Sequence, residues 1–471
     1  MALSNSGLDA AAVAAALSGK KRLWFIGIGG VHMASLARLA RARGFAVAGS
    51  DRVGGARVEG LRREGITVFV GHDAAHMVDF DAVIYTLALS PDNPEYCAAR
   101  NLGLPAISRA DFLGYLMEGA PRRIGVAGSH GKSTVTAMLG AIFTAAGRDP
   151  TVVCGAEMDA DGSALLLGNG PDFIFEACEY KDSFLSFTPT LALVLNVQHD
   201  HADYFPTPQS LYRSFAAFAA LPGAGGTVLY NADDPVACEI AAKSPATAVS
   251  FGIERGDCHA AELCLSGGFA QFIPVYHGIR GSAITLRIPG RHNVANALAA
   301  YAAARLSGVD AVSASSALSG FSGAARRMEY RGLLHGARVF DDYAHHPTEI
   351  AAALTTAREM LGNGGRLFAV FQSHTYTRTA HFWNEICAAL RLADRVLITN
   401  IYAAREAPIE GVTAAALAAD VGAQASYVGG LSAIADTLTH ELAAGDLLLV
   451  MGAGDIDLLF REFSGKHFTI E

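Results

Sequence analysis

Ile124-Gly125-Val126-Ala127-Gly128-Ser129-His130-Gly131-Lys132-Ser133-Thr134-Val135-Thr136-Ala137-Met138-Leu139 is the stretch on which the reading of the whole chain turns. An apolar run ends at Ala127 and a glycine-bounded turn follows. Val135, Met138 and Leu139 then recur at helical spacing, so the segment predicts strand, turn and helix. Backbone N–H groups of such a turn converge on an anion, and the helix N-terminus adds partial positive charge. Lys132 brings a point charge and the Ser133 hydroxyl can ligate Mg²⁺, which makes Gly128 to Thr134 a nucleotide-phosphate turn. The spacing is the short G-x-x-G-K-S, because the commoner G-x-x-x-x-G-K-[ST] needs Gly where Val126 stands. For a bare G-K-S tripeptide a glycine turn capping an ordinary helix would be the better reading; here the flanking strand and helix favour the nucleotide.

The chain around this turn has 471 residues, too many for one ordinary core, so two or three domains are expected. With 51% hydrophobic and 17% charged residues it is not a disordered chain, and it suits well-buried α/β layers. A net charge of −9 with no Lys/Arg run excludes a broad nucleic-acid surface. Any phosphate must then be held by local donors and Mg²⁺. No apolar run reaches the roughly 18 residues of a membrane span, and the Ala-rich start from Ala10 to Leu17 lacks a basic flank. The expectation is a cytoplasmic protein without membrane insertion. Seven cysteines form no C-x-x-C pair, so reduced, mostly buried thiols are expected.

Upstream, Arg22 to Ile26 reads as a strand, followed by Gly27-Ile28-Gly29-Gly30-Val31-His32-Met33 and an amphipathic helix through Arg43. Further strands end in Gly49-Ser50-Asp51 and, after Ala82 to Tyr85, in Thr86-Leu87-Ala88. This is a doubly wound β-α-β series, with ligand groups at strand C-termini. The third glycine of a dinucleotide G-x-G-x-x-G is His32, so an oxidoreductase and an anion-binding relative fit equally, with Gly29 and Gly30 near a phosphate in either case. Asp51 suits a ribose-binding acid or a helix cap.

Downstream of a boundary near residue 120, Phe173 to Phe175 ends in Glu176-Ala177-Cys178-Glu179, and Leu191 to Val197 ends in Gln198-His199-Asp200-His201. In a parallel sheet these ends lie together beside Lys132 and Ser133. Glu176 with Ser133 suits Mg²⁺, although Glu179 is an equal candidate on chemistry alone. Asn293 and Asn296, three apart, share a helix face, with helix capping by Asn293 as the plainer reading. A third α/β unit starts near Phe321. Its strands end in Asp341-Asp342-Tyr343-Ala344-His345-His346, in Gln372-Ser373-His374, and in Gly452-Ala453-Gly454-Asp455. Arg327 is either a surface cation or a γ-phosphate ligand. His345, His374 and Arg378 look like a carboxylate-reading cluster. His199-x-His201-x-Asp203 also matches most of a zinc-hydrolase signature, with Tyr204 where a histidine would complete it.

GIGGVHMASLA, GSHGKST, EACEYKDSF, NVQHDHADYF, GRHNVANA, RRMEYRG, DDYAHHPTE, FQSHTYTRT and MGAGDI stand in the order and rough spacing found in the Mur ligases. The chain resembles that family over nearly its whole length, and its L-alanine-adding branch more than its murein tripeptide-recycling branch. DDYAHHPTE followed by H-x-Y-T-R-T is the most discriminating portion.

The resemblance implies an α/β fold of three domains, each on a largely parallel doubly wound sheet. Residues 1–120 would form a Rossmann-like domain for the UDP-sugar, 121–320 a P-loop-type ATPase domain, and 321–471 a Rossmann-like domain for the amino acid. It implies a monomeric or homodimeric ligase of peptidoglycan precursor synthesis, joining L-alanine to UDP-N-acetylmuramate with ATP as co-substrate and two Mg²⁺ ions. Gly29, Gly30, His32, Met33, Ser50 and Asp51 would contact the UDP-sugar. Gly128, Ser129, His130, Gly131, Lys132, Ser133 and Thr134 would hold the ATP phosphates, and His292, Asn293 and Asn296 would line the adenine side. Arg327 and Asp342 would meet the nucleotide. Ser133 and Glu176 would hold one Mg²⁺ and His201 the second, with Lys132, Glu176, His201, Arg327 and Asp342 as the catalytic set. Tyr343, His345, His374 and Arg378 would bind the substrate carboxylate and incoming amino acid. His32 and Ala34 depart from the family's usual GIGG segment, Cys178 replaces a common Asp, and Thr375 stands where some members carry Arg.

Overall fold

The computed structural model describes residues 3–158, 163–362, 364–464 and 466–469. The chain packs as two compact units, Met1–Val197 with Gln209–Phe251 and Ala299–Ala314, and Gln198–Pro208 with Gly252–Leu298 and Ser315–Glu471.

In the first unit, β1 (Arg22–Ile26), β2 (Ala46–Asp51), β3 (Thr67–Val70), β4 (Ala82–Tyr85) and β5 (Ala106–Ser108) form an all-parallel sheet in the order β3-β2-β1-β4-β5. Helices covering both faces of such a sheet make its central strands continuous apolar runs, and every residue of β4 is buried. β3 was not expected from the sequence. It is an edge strand in which only Val68 is buried, so its apolar residues carry no core pattern. The strand order reverses between β1 and β4, and the Gly27–Gly30 loop leaves the C-terminal end of β1 at that switch point, where ligands of doubly wound sheets bind.

A second sheet in this unit runs β12-β11-β10-β6-β9-β7-β8, from β6 (Arg122–Ala127), β7 (Thr151–Val153), β8 (Leu165–Leu166), β9 (Asp172–Glu176), β10 (Leu191–Val194), β11 (Thr227–Asn231) and β12 (Thr247–Phe251). All neighbours are parallel except β8 against β7. Register sets Val126 beside Glu176 and Ala127 beside Val194, so the ends of β6, β9 and β10 stand level. The glycine turn emerges between its two neighbours.

The second unit carries an antiparallel hairpin of β13 (Cys258–Ser266) and β14 (Phe269–Tyr276), joined by the short β15 (Ile279–Arg280) and β16 (Ile284–Thr285). Its main sheet has the order β21-β20-β19-β22-β18-β17-β23. These are β17 (Glu329–Leu334), β18 (Ala337–Asp342), β19 (Leu367–Phe371), β20 (Arg395–Ile398), β21 (Ala425–Tyr427), β22 (Leu447–Met451) and β23 (Phe468–Thr469). β21 to β18 are parallel, while β17 and β23 are antiparallel to their neighbours. The period of two along β19 divides the core: Leu367, Ala369 and Phe371 pack with Ile350, Leu354 and Ile386, whereas Phe368 and Val370 pack with Ile434 and Leu438.

All seven cysteines are free thiols, but the expectation of mostly buried positions is corrected. Cys154, Cys258 and Cys387 are buried, Cys264 is exposed, and Cys97, Cys178 and Cys238 lie between. Cys264 belongs to the end of β13 that is exposed to solvent from residue 264 to 266. Among the described residues no helix is long and apolar enough to cross a membrane.

Candidate functional site

The turn after β6 is built for close approach. Gly128 has φ 157°, and a Cβ there would stand 2.8 Å from Leu195 Cβ; Gly131 has φ 84° and caps the helix Lys132–Ala145. Both conformations favour glycine. Asn196, beyond the end of β10, pins the turn from beneath: its Oδ1 accepts from His130 N at 2.8 Å and its Nδ2 donates to His130 O at 3.0 Å.

Ser133 Oγ donates to Glu176 Oε2 at 2.7 Å, and Gly155 N donates to the same oxygen at 2.8 Å. Lys132 Nζ instead donates to Glu179 Oε2 and Oε1 at 2.9 and 3.2 Å, and to the carbonyls of Gly128 and Ser129 at 2.6 and 3.2 Å. The two acids that chemistry alone left equal are thereby divided, Glu176 to the hydroxyl and Glu179 to the ammonium. Burial alone would pull Lys132 down, but the charge of Glu179, with smaller contributions from Cys178 and Glu176, holds it above the ordinary lysine range. Burial and then Glu179 push the Cys178 thiol up to about 11, so it stays protonated at neutral pH.

In the same unit, Gly29 N donates to Asp51 Oδ2 at 2.8 Å, and a Cβ on Gly29 would stand 2.9 Å from that oxygen. Asp51 is therefore not a helix cap; the helix Ala56–Arg63 starts from Gly55 without a side-chain cap. Gly30 caps the helix Val31–Ala42, with His32 and buried Met33 in its first turn. Ser50 turns inward, fully buried, with its hydroxyl on Glu95 and His72. Burial and then the charge of Arg109 push His32 down to about 4, against the opposing pull of Glu176. Arg109, the first residue of the helix Arg109–Met117, thus acts on both His32 and Glu176. Sequence reasoning missed it, although it directly follows the end of β5, where the strand-end rule would have found it.

The helix Arg291–Leu306 begins two residues before Asn293, which removes the simple capping reading. Asn293 Nδ2 donates to Pro289 O at 2.7 Å and Asn296 Nδ2 to Asn293 Oδ1 at 2.9 Å, so the two amides form one buried pair. Gly290, with φ 103°, leaves room for His292, whose Cε1 a Cβ there would meet at 2.5 Å. Asp342 accepts from the N–H groups of Met328 and Ala344, both at 2.8 Å. Burial pushes its carboxyl up to about 6, against the Arg327 charge and those two hydrogen bonds. The Arg327 guanidinium lies 5.1 Å from the ring centre of Tyr343.

The C-terminal histidines gather as expected. The rings of Tyr343, His345 and His374 form a chain with centroid spacings of 5.6 and 5.9 Å. Arg378 donates from Nη1 to His374 Nδ1 at 3.2 Å, and from Nε and Nη2 to Asp200 at 3.0 to 3.2 Å. Burial alone would raise the Asp200 carboxyl, but His201, Arg378 and His345 outweigh it and hold it well below the usual carboxylate range. Burial first pushes His345 down to about 4 and His374 to about 3, so both rings are neutral near pH 7. A carbonyl only accepts, so the 3.0 Å contact of His345 Nδ1 with Tyr343 O puts the proton on Nδ1 and leaves Nε2 as an acceptor.

The zinc reading finds no support in the arrangement of these side chains. His199 Nε2 lies 2.8 Å from Phe205 O and carries its proton there. His201 contacts Asp200. Among the described residues no three of His, Cys, Asp and Glu are arranged to hold a metal ion.

Sequence patterns described as the Mur ligase family catalytic domain, the Mur ligase middle domain and the Mur ligase glutamate ligase domain match residues 22–120, 126–304 and 326–454. The chain belongs to the Mur ligase family. A UDP-N-acetylmuramate--L-alanine ligase of Caldicellulosiruptor bescii is 40% identical over 93% of this chain and 96% of that relative. One from Acetivibrio thermocellus is 38% identical over 93% and 94%. Among solved structures, the UDP-N-acetylmuramate-alanine ligase MurC of Thermotoga maritima aligns with a TM-score of 0.81 at 28% identity, covering 95% of this chain and 99% of that one. A murein peptide ligase of Psychrobacter arcticus aligns at 0.74 with 25% identity, covering 96% and 100%. In this Mur ligase Asn196, which sequence reasoning passed over, acts by fixing another group, holding the phosphate turn at His130. A supporting role leaves no motif of its own.

Proposed function

We propose that this Mur ligase joins L-alanine to the lactyl carboxylate of UDP-N-acetylmuramate at the expense of ATP, in peptidoglycan precursor synthesis. The observation that carries this is the divided pair of acids at the phosphate turn, Glu176 on Ser133 and Glu179 on Lys132, in a chain so similar to the L-alanine-adding relatives. Residues 1–120 are assigned to the UDP-sugar, through Gly29, Gly30, His32, Met33 and Asp51; the Ser50 hydroxyl, fully buried on Glu95 and His72, is taken out of that set. Residues 121–320 are assigned to ATP and 321–471 to the amino acid.

A carboxylate and an amine do not condense usefully in water, so the carboxylate must first gain a leaving group. Its oxygen attacks the γ-phosphorus of ATP and the bond to the β-phosphate oxygen breaks, which releases ADP and leaves an acyl phosphate. The alanine nitrogen then attacks the acyl carbon, phosphate departs, and the amine proton is lost. Lys132 and Arg327 offset the charge that accumulates as two anions approach. His292, Asn293 and Asn296 are assigned to the adenine side, and Asp342 holds the Met328 and Ala344 amides in place beside Arg327. Tyr343, His345, His374 and Arg378 receive the amino acid, and His345 Nε2 is the acceptor open to its proton.

Ser133 Oγ and Glu176 Oε2, hard oxygens 2.7 Å apart, are a donor set that fits Mg²⁺, and His201 is assigned to a second ion. When bound, Mg²⁺ supplies further neutralisation of the phosphate oxygens.

The deciding experiment is phosphate release from MgATP with UDP-N-acetylmuramate, screened over L-alanine, glycine, L-serine and the murein tripeptide. Release that requires both the sugar nucleotide and L-alanine is expected. Release with the tripeptide but not with L-alanine would move the chain to the recycling reaction.

A further inference from the structure

Arg378 carries the incoming carboxylate in the reading above, yet much of its guanidinium is already committed. Nε donates to Asp200 Oδ1 at 3.1 Å, and Nη2 donates to Oδ1 and Oδ2 at 3.0 and 3.2 Å. The remaining terminal nitrogen donates to His374 Nδ1 at 3.2 Å. A guanidinium presents carboxylates with two forked faces, its side edge (Nε with Nη2) and its end (Nη1 with Nη2). Asp200 takes the side edge, so the end is the face left for a substrate.

Something must choose between those faces, because an arginine side chain turns about several bonds and its own helix does little to restrain it. The helix Tyr376–His381 has six residues and springs from Thr375, a β-branched residue at φ 65°. Asp200 is itself held, since His201 N donates to its Oδ1 at 2.6 Å. Both side chains of the pair are only 10% exposed. A buried, doubly bonded carboxylate on one edge is a fixed stop for the fork.

We propose that Asp200 is a positioning residue of the amino-acid site: it locks the side edge of Arg378 so that the end of the guanidinium reads the carboxylate of the incoming amino acid. This rests on the reading of the Arg378 cluster as that site.

The test compares Asp200→Asn, Asp200→Glu and Arg378→Gln in the full chain, by phosphate release with L-alanine, MgATP and UDP-N-acetylmuramate varied in turn and folding checked by thermal melting. Asp200→Asn should raise the KM for L-alanine about tenfold or more, the size of a lost charged hydrogen bond, and leave the other two KM values within about twofold. Asp200→Glu keeps the charge one methylene further out and should give an L-alanine KM between wild type and Asp200→Asn. A folded Asp200→Asn with unchanged L-alanine KM, or with the MgATP KM raised instead, overturns the proposal. If Asp200→Asn does not fold, Asp200→Glu decides, and a wild-type L-alanine KM there overturns it. Arg378→Gln separates the two levels: an unchanged L-alanine KM in that variant overturns the amino-acid-site reading itself.

Discussion

Glu179 holds Lys132 by both carboxylate oxygens, at 2.9 and 3.2 Å, with the lysine 14% and the glutamate 2% exposed. The ammonium is thus fixed over the carbonyls of Gly128 and Ser129. A lysine bound to the turn that it serves is pre-placed for a phosphate, at little further entropic cost.

Lys132→Ala removes the ammonium from that carboxylate. Breaking a buried pair costs about 3–5 kcal/mol when one charge is left behind, less if the acid takes up a proton. Phosphate release should vanish and the melting temperature fall, while calorimetric binding of UDP-N-acetylmuramate persists. Turnover at the wild-type rate would refute the ATP-site assignment.

Glu176→Gln keeps an oxygen for Ser133 Oγ and Gly155 N but loses the charge. The Mg²⁺ concentration for half-maximal rate, measured at saturating ATP, should rise on the order of tenfold, as for other losses at metal sites. Glu179→Gln should move it far less. Equal shifts in both variants would contradict the division of the two acids.

Gly128→Ala places a methyl 2.8 Å from Leu195 Cβ on a backbone at φ 157°. Overpacking of this kind costs about 1–3 kcal/mol. The turn should lift from Asn196, so both the melting temperature and ATP affinity should drop. Calorimetry showing normal ATP binding would mean the turn tolerates the shift.

Asp341 is fully buried, among the described residues neither of its oxygens has a hydrogen-bond partner, and Arg326 Nε lies 3.4 Å from it. Burial pushes its carboxyl up to about 7, against the pull of Arg326 and Arg331. Between the ordinary value of 3.8 and about 7 the native chain keeps a proton that the unfolded chain has released. Stability contributed here therefore falls as pH rises through that window. Asp341→Asn should melt like wild type at pH 4 and above it at pH 8. Parallel melting curves across the range would show that Asp341 does not titrate there.

Much of this was legible in the residues themselves. Strands such as Arg395–Ile398 carry their own apolar signal, and Lys132, Ser133, His345 and Arg378 announce themselves as polar side chains beyond the ends of apolar runs. β3 and Arg109 were not read, the first because an exposed edge strand lacks a core pattern, the second although it follows directly on the end of β5. The supposed zinc triplet read well on spacing, but among the described residues no three of His, Cys, Asp and Glu are arranged to hold a metal ion.

By itself the sequence determined the family and the α/β class, since periodicity and motif are local properties of the chain. Only the tertiary structure decided which acid serves which partner at the turn after β6. Glu176 and Glu179 are three residues apart and alike in kind. It took the parallel register of β6 and β9, which sets Val126 beside Glu176, together with the fold of the chain beyond β9, to bring one to Ser133 and the other to Lys132.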